Sequence, residues 1–228
     1  MVIPYLRGRL MTNGTLRAFY GGTFDPIHYG HLLPVIALAR LVNLQKVILL
    51  PNHVPPHRPQ PVASAYQRLS MARLAIAELP GTLFSLDDRE IRRPIPSWTV
   101  DTFEDLRGEY GPNATLGFII GEDSLQTLPQ WHRGLALLDL CHILVCLRPH
   151  HNDLMNSGEG DNYWLTSRLT RNPQALYQQP SGMIYCPSTP IFSISASDIR
   201  ARYRQGRACD GLLPSSVCLY IHEQGLYR

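Results

Sequence analysis

The sequence predicts an α/β fold: a doubly wound, mostly parallel, Rossmann-like sheet with helices on both faces and a C-terminal helical part. Three observations carry this. Apolar runs of strand length recur along the chain, they are continuous rather than alternating, and segments of helical character separate them. Continuous apolar strands suit a sheet covered on both faces, and strand–helix alternation suits parallel pairing. Ligands of such sheets bind outside the carboxyl ends of the strands, near the point where strand order reverses.

The elements follow in order. Residues 16–20 read as the first strand. Residues 31–42 read as a helix, with Pro34 tolerable in its first turn. A strand over 46–50 ends at Pro51. Pro55, Pro56, Pro59 and Pro61 make 52–61 a loop. Residues 65–78 form a helix whose apolar positions lie among arginines. A short strand covers 83–86. The helix over 99–110 sets Val100, Phe103 and Leu106 on one stripe, with Ser97 as its expected N-cap. Strands follow over 115–120, ending at Gly121, and over 142–147, after a short helix at 135–140. Residues 150–180 are polar and read as an excursion with one helix. A strand at 183–186, a helix over 195–205 closed by Gly206, and a helix over 214–224 complete the chain.

Composition narrows the class. The chain has 228 residues, 44% hydrophobic and 17% charged, enough to bury a sizeable core. Its 21 basic and 18 acidic residues leave a formal charge of +3, which suits anionic small molecules, and it contains no basic block that would serve as a nucleic-acid arm. Five cysteines with no Cys-x-x-Cys pair argue against a zinc knuckle or disulfide framework and suit a reducing cytoplasm. No apolar run is long enough to span a membrane. Residues 1–15 carry Arg7 and Arg9 and no acid, and are expected to form a disordered N-terminal extension. Residues 16–228 then make one domain.

The junction between the first strand and the first helix is the most informative stretch. It reads Gly21-Gly22-Thr23-Phe24-Asp25-Pro26-Ile27-His28-Tyr29-Gly30-His31. Backbone N–H groups and the positive end of the helix dipole converge at such a junction, which makes it an anion site. Two histidines in a His-x-Gly-His spacing add ring donors aimed at the same spot. A second anion site is expected at Ser195-Ala196-Ser197-Asp198-Ile199-Arg200, where hydroxyls and amides meet at a helix start and Arg200 can fork onto a phosphate. A zinc pair at His28 and His31 lacks a further ligand at suitable spacing, so no metal is expected on the protein itself.

The junction resembles the His-x-Gly-His nucleotidyltransferase signature, and its longer form resembles the bacterial nicotinate-nucleotide adenylyltransferase family. Further motifs extend the resemblance in order: Pro51-Asn52-His53-Val54-Pro55-Pro56-His57-Arg58, Ile119-Ile120-Gly121-Glu122-Asp123, Trp131, the run 145–149, the Ile194–Arg200 turn and the closing stretch 221–228. The resemblance implies transfer of AMP from ATP, with Mg²⁺, to nicotinate mononucleotide, releasing pyrophosphate and nicotinate adenine dinucleotide. The nucleophile is already an anion, so the catalyst has to align two repelling phosphates and stabilise charge on the reacting phosphorus. His28, His31 and Arg200 are then the expected catalytic donors. Gly21, Gly22, Thr23, Phe24, Gly30, Gly121, Asp123, Ile194, Ser195 and Ser197 are expected to hold ATP. Gly21 and Gly22 would let backbone approach phosphate, and Gly30 would leave room at the helix start.

The second substrate is expected to meet Asn52, His57, Arg58, Thr99, Trp131, His132 and Arg148. A pyridine ring stacks on an indole, and its carboxylate needs donors, which the resemblance assigns to Thr99 and Trp131. The sequence departs from the family pattern at Trp98 and His132, where Tyr is frequent, and at Ser197, where Thr is. A nicotinamide-mononucleotide adenylyltransferase is the alternative enzyme, and a non-catalytic nucleotide-binding module the alternative of another class. A dehydrogenase would need Gly-x-Gly-x-x-Gly after the first strand, and an aminoacyl-tRNA synthetase a lysine-rich Lys-Met-Ser-Lys-Ser loop; neither is present. The expected partners are the two nucleotides, with no nucleic acid and no membrane, in a monomer or homo-oligomer.

Overall fold

A computed structural model describes residues 15–53, 60–93, 98–147 and 163–228. The elements run β1 Arg17–Gly22, α1 Tyr29–Val42, β2 Val47–Pro51, α2 Ala65–Glu78, β3 Phe84–Leu86, α3 Arg89–Arg92, α4 Thr99–Tyr110, β4 Leu116–Gly121, α5 Glu122–Thr127, α6 Leu137–Leu140, β5 His142–Cys146, α7 Tyr163–Thr166, β6 Leu169–Thr170, β7 Ile184–Tyr185, α8 Ala196–Arg204 and α9 Ser215–Glu223. Seven strands form one sheet in the order β3-β2-β1-β4-β5-β7-β6, and every described pairing is parallel. The doubly wound expectation is met. Strand order reverses between β1 and β4, which is where such a sheet opens a crevice.

Side chains alternate across the sheet. On one face, Ala18, Ile119 and Leu144 pack with Val35, Leu38 and Val42 of α1. On the other, Phe19, Phe118, Ile120 and Val145 pack with Val100, Phe103 and Leu106 of α4. A third cluster joins α2, α8 and α9 around Leu49, Met71, Ala72, Ile199, Val217 and Ile221. Among the described residues no helix is long and apolar enough to cross a membrane.

Several boundaries sharpen the expectations. α1 starts at Tyr29, with His28 at the N-cap, so Pro34 lies in its second turn and not its first. Its missing N–H removes the helical bond that the Gly30 carbonyl would accept. α2 spans the expected residues and begins with a capping box between Ser64 and Gln67. Its far end serves α9, because the Glu78 carboxylate accepts the N–H groups of Ser215 and Ser216 at 2.9 and 2.8 Å. The Ser216 side chain first, then these N–H groups, hold the Glu78 pKa down to about 2. The N-cap position of α4 belongs to Trp98, whose side chain makes no capping bond, and not to Ser97, which lies outside the described residues.

The sequence reading had no strand between 147 and 183, yet β6 pairs with β7 there. Two residues are too few to show a period. Its neighbourhood is pinned by buried His142 at the start of β5. The Met183 N–H donates to His142 Nδ1 at 3.0 Å, so Nε2 carries the proton and donates to the Gln179 carbonyl at 2.9 Å. Burial pushes the His142 pKa down.

Candidate active site

A cleft of about 800 Å³ opens over the carboxyl ends of β1, β2 and β4. Its walls combine the β1–α1 junction, the end of β2, the starts of α4 and α5, the Trp131 turn, and the start of α8. Every described residue expected to hold either nucleotide lines it: Gly21, Gly22, Thr23, Phe24, His28, Gly30, His31, Asn52, Thr99, Gly121, Asp123, Trp131, His132, Ile194, Ser195, Ser197 and Arg200. His57, Arg58 and Arg148 lie outside the described residues, as do Val54, Pro55, Pro56 and Pro59.

The junction is shaped by close packing. His28 at the N-cap and His31 in the first turn of α1 stack, with ring centroids 3.7 Å apart and planes 21° apart. A Cβ on Gly30 would come within 2.6 Å of the Ile194 carbonyl and 3.0 Å of the His28 ring. Gly30 therefore lets the α8 approach lie against the histidines. A Cβ on Gly21 would meet the Phe118 ring at 2.9 Å, and one on Gly22 the Phe24 ring at 2.7 Å. Both glycines thus accommodate aromatic side chains as well as leaving backbone bare. Phe24 itself takes a left-handed conformation, φ 51°, which a bulky residue holds only when its surroundings impose it.

Those surroundings include three residues to which the sequence reading gave no role. Arg68 of α2 is 1% exposed and spans two loops. Its Nη1 donates to the Thr23 carbonyl at 2.6 Å and to Asn52 Oδ1 at 3.2 Å, and its Nη2 donates to the His53 carbonyl. Asn52 in turn donates to Thr23 Oγ1 at 3.2 Å. Asp25, named in the junction motif without a role of its own, is 6% exposed, and its carboxylate accepts the N–H groups of Val62 and Ala63 at 2.9 and 3.1 Å. Tyr227 completes the set, its phenol donating to Asp25 Oδ1 at 2.6 Å. A signal for Arg68 existed: it stands on the buried stripe of α2 with Met71, Ala72 and Ala75, where a charged residue needs partners.

The start of α8 is as expected, with one adjustment. Ser195 is its N-cap, accepts the Asp198 N–H at 3.2 Å, and has its hydroxyl 3.1 Å from that of Ser197. Arg200 Nη1 donates to the Asp25 carbonyl at 2.6 Å, so part of the guanidinium is already engaged by the β1–α1 loop. Asp123 is the second residue of α5, and Gly121 takes the N-cap position.

At the other end, the Trp98 and His132 rings lie 4.7 Å apart. Trp131 Nε1 donates to Thr127 Oγ1 at 3.2 Å, and its ring sits 6.5 Å from that of Phe118. The turn carrying Trp131 is tight, because a Cβ on Gly134 would lie 1.9 Å from the Leu128 carbonyl. Glu90 of α3, also unread in the sequence, faces this end of the cleft while only 8% exposed. It accepts a 2.7 Å bond from the Thr102 hydroxyl, which accepts one from Arg93. Burial raises its pKa to about 7.

The cytidylyltransferase-like family model matches residues 19–202. A protein of Sodalis glossinidius (strain morsitans) named "Probable nicotinate-nucleotide adenylyltransferase" is 72% identical over 219 residues, covering 96% of this chain and 100% of the relative. One of the same name from Baumannia cicadellinicola subsp. Homalodisca coagulata is 60% identical over 218 residues, with 96% and 100% covered. The fold is similar to that of the Plasmodium falciparum nicotinic acid mononucleotide adenylyltransferase solved in complex with NaAD, at TM-score 0.69 and 20% identity over 93% of this chain and 97% of that one.

Proposed function

We propose, since this chain belongs to the nicotinate-nucleotide adenylyltransferases of the cytidylyltransferase-like family, that it transfers AMP from ATP to nicotinate mononucleotide and releases pyrophosphate. The observation that most supports this is the stacked His28–His31 pair at the start of α1, sharing one cleft with Asp123, Arg200 and the Trp131–Thr99 end.

In this reading the mononucleotide phosphate attacks the α-phosphorus of ATP and the bond to the β-phosphate oxygen breaks. His28 and His31 donate ring N–H bonds to the phosphate oxygens where charge grows, and the α1 terminus adds its dipole. Ser195, Ser197 and Arg200 hold the departing pyrophosphate. Asp123 takes the ribose hydroxyls. Thr99 and the Trp131 turn receive the pyridine ring and its carboxylate, and Asn52 lines the path between the two ends. His57, Arg58 and Arg148 are proposed to add phosphate contacts.

Magnesium belongs to the substrate in this scheme. Among the described residues no three His, Cys, Asp or Glu side chains converge as a metal site, and a lone carboxylate with two imidazoles suits a cation carried by the triphosphate better than a protein cage. The cation would neutralise phosphate charge.

Pyrophosphate release should be measured with the acid and the amide mononucleotide side by side. Strong preference for the acid is expected. Equal turnover would overturn the acid-selective assignment, and release with neither would leave a nucleotide-binding module.

A further inference from the structure

We infer that Tyr227 is a positioning residue for the phosphate-binding loop, acting through Asp25. This rests on the reading that His28, His31 and Arg200 act on the phosphates. Tyr227 lies beyond α9, 202 residues along the chain from Asp25, yet it is 3% exposed and its hydroxyl meets Asp25 Oδ1 at 2.6 Å. Asp25 follows the left-handed Phe24 and precedes His28 by three residues. Its carboxylate is fully engaged on one side by the Val62 and Ala63 amides. Its carbonyl is the acceptor that holds Arg200 Nη1. Two of the three catalytic candidates therefore hang from the same residue: His28 along the backbone, Arg200 through a hydrogen bond.

Tyr227 also touches the other arm. Its ring lies 6.2 Å from that of Tyr203, one turn after Arg200 on α8. The phenol thus sits between the loop that carries the histidines and the helix that carries the arginine, and fixes their separation. Burial, followed by the bond to Asp25, pushes its pKa up, so it stays a donor at any working pH. A hydrogen bond from a neutral donor to a buried carboxylate belongs to the stronger class of such bonds, and in-line transfer tolerates little misplacement. Removing the hydroxyl should loosen the Asp25 turn and disturb transition-state contacts more than ground-state binding.

The test is Tyr227→Phe in the full chain, with Tyr177→Phe as control. Tyr177 donates an equally short bond, 2.6 Å, to the Val42 carbonyl, and it lies outside the cleft. For Tyr227→Phe, kcat for pyrophosphate release should fall roughly ten-fold. KM for both nucleotides should stay nearly unchanged, and the His28 and His31 ring signals in ¹H–¹⁵N spectra should shift. Tyr177→Phe should change neither kcat nor those signals. A wild-type kcat in Tyr227→Phe, an equal kcat loss in Tyr177→Phe, or failure of Tyr227→Phe to fold would overturn the inference. If the wild-type protein releases no pyrophosphate, the transfer reading fails by itself; the histidine signals still decide the bracing, and unshifted signals would overturn it.

Discussion

At the proposed phosphate end of the cleft, loop residues are tied to distant parts of the chain by buried polar side chains. At the proposed ring end, beside the buried Thr102–Glu90 bond, the aromatic side chains lean on one another nearer the surface. Arg68, Asp25 and Tyr227 join α2, the β1–α1 loop and the segment after α9 through bonds of 2.6–3.2 Å, with almost no solvent access. The ring end rests on the Trp98–His132 contact, the Trp131–Thr127 bond and the half-exposed Arg133–Glu104 pair, 2.7 Å long. Exposed pairs of that kind contribute little to stability. In the proposed function the difference follows the chemistry. Aligning phosphates for in-line attack rewards rigidity, whereas a flat ring tolerates a more adaptable seat.

The most direct way to break the comparison is at the histidines. His28→Ala and His31→Ala should each lower kcat by roughly 10²–10³, or about 3–4 kcal/mol, with folding retained. Loss of folded protein by circular dichroism would instead make the pair structural. Glu90 offers the next largest effect, and it is one of stability. Its carboxyl titrates near 4.5 when unfolded and at about 7 when folded. The unfolded chain loses that proton first, so wild-type stability falls as pH rises from 4.5 to 7 and stays lowered above it. Glu90→Gln lacks this loss. In denaturant titrations its advantage over wild type should grow across that window, towards about 3 kcal/mol. A constant difference would show that Glu90 titrates normally.

Thr99→Val should raise KM for the acid mononucleotide and leave KM for ATP unchanged, at a cost of about 1.5–3 kcal/mol for a lost bond to a charged group. Equal losses for both nucleotides would move the ring pocket elsewhere. Asn52→Ala is expected to be mildest. It removes the bond to Thr23 Oγ1 and one acceptor of Arg68, and should cost about 1 kcal/mol in thermal or denaturant unfolding while Arg68 still holds the Thr23 and His53 carbonyls. A larger loss would mean that Asn52, not Arg68, is the principal tie.

The sheet was legible because buried parallel strands leave continuous apolar runs, and the strands from β1 to β5 begin and end within a residue or two of those runs. The described motif residues were also legible as one site, since the topology brings strand ends together. β6, α3 and α5 escaped because elements of two to six residues show no period of their own. Arg68, Asp25, Tyr227 and Glu90 escaped for another reason. Each works through a partner far away in sequence, and a residue's spacing to its neighbours does not reveal such a partner. The expected place of Pro34 failed because α1 begins two residues earlier than expected, directly after His28, and uses the histidine motif as its own first turn.

Phe118 belongs to both ends at once. Its ring occupies the space that a side chain on Gly21 would need, lies 5.0 Å from the ring of Phe103, and flanks Trp131. Redesign of this enzyme for bulkier pyridine substrates would naturally start by trimming that ring. Doing so would also remove the ring against which Gly21 of β1 lies, so in the proposed reading substrate range and turnover would be traded at a single residue. In the proposed reading, Thr99 and His132, which also line the cleft, are the positions from which the ring pocket would be retuned independently.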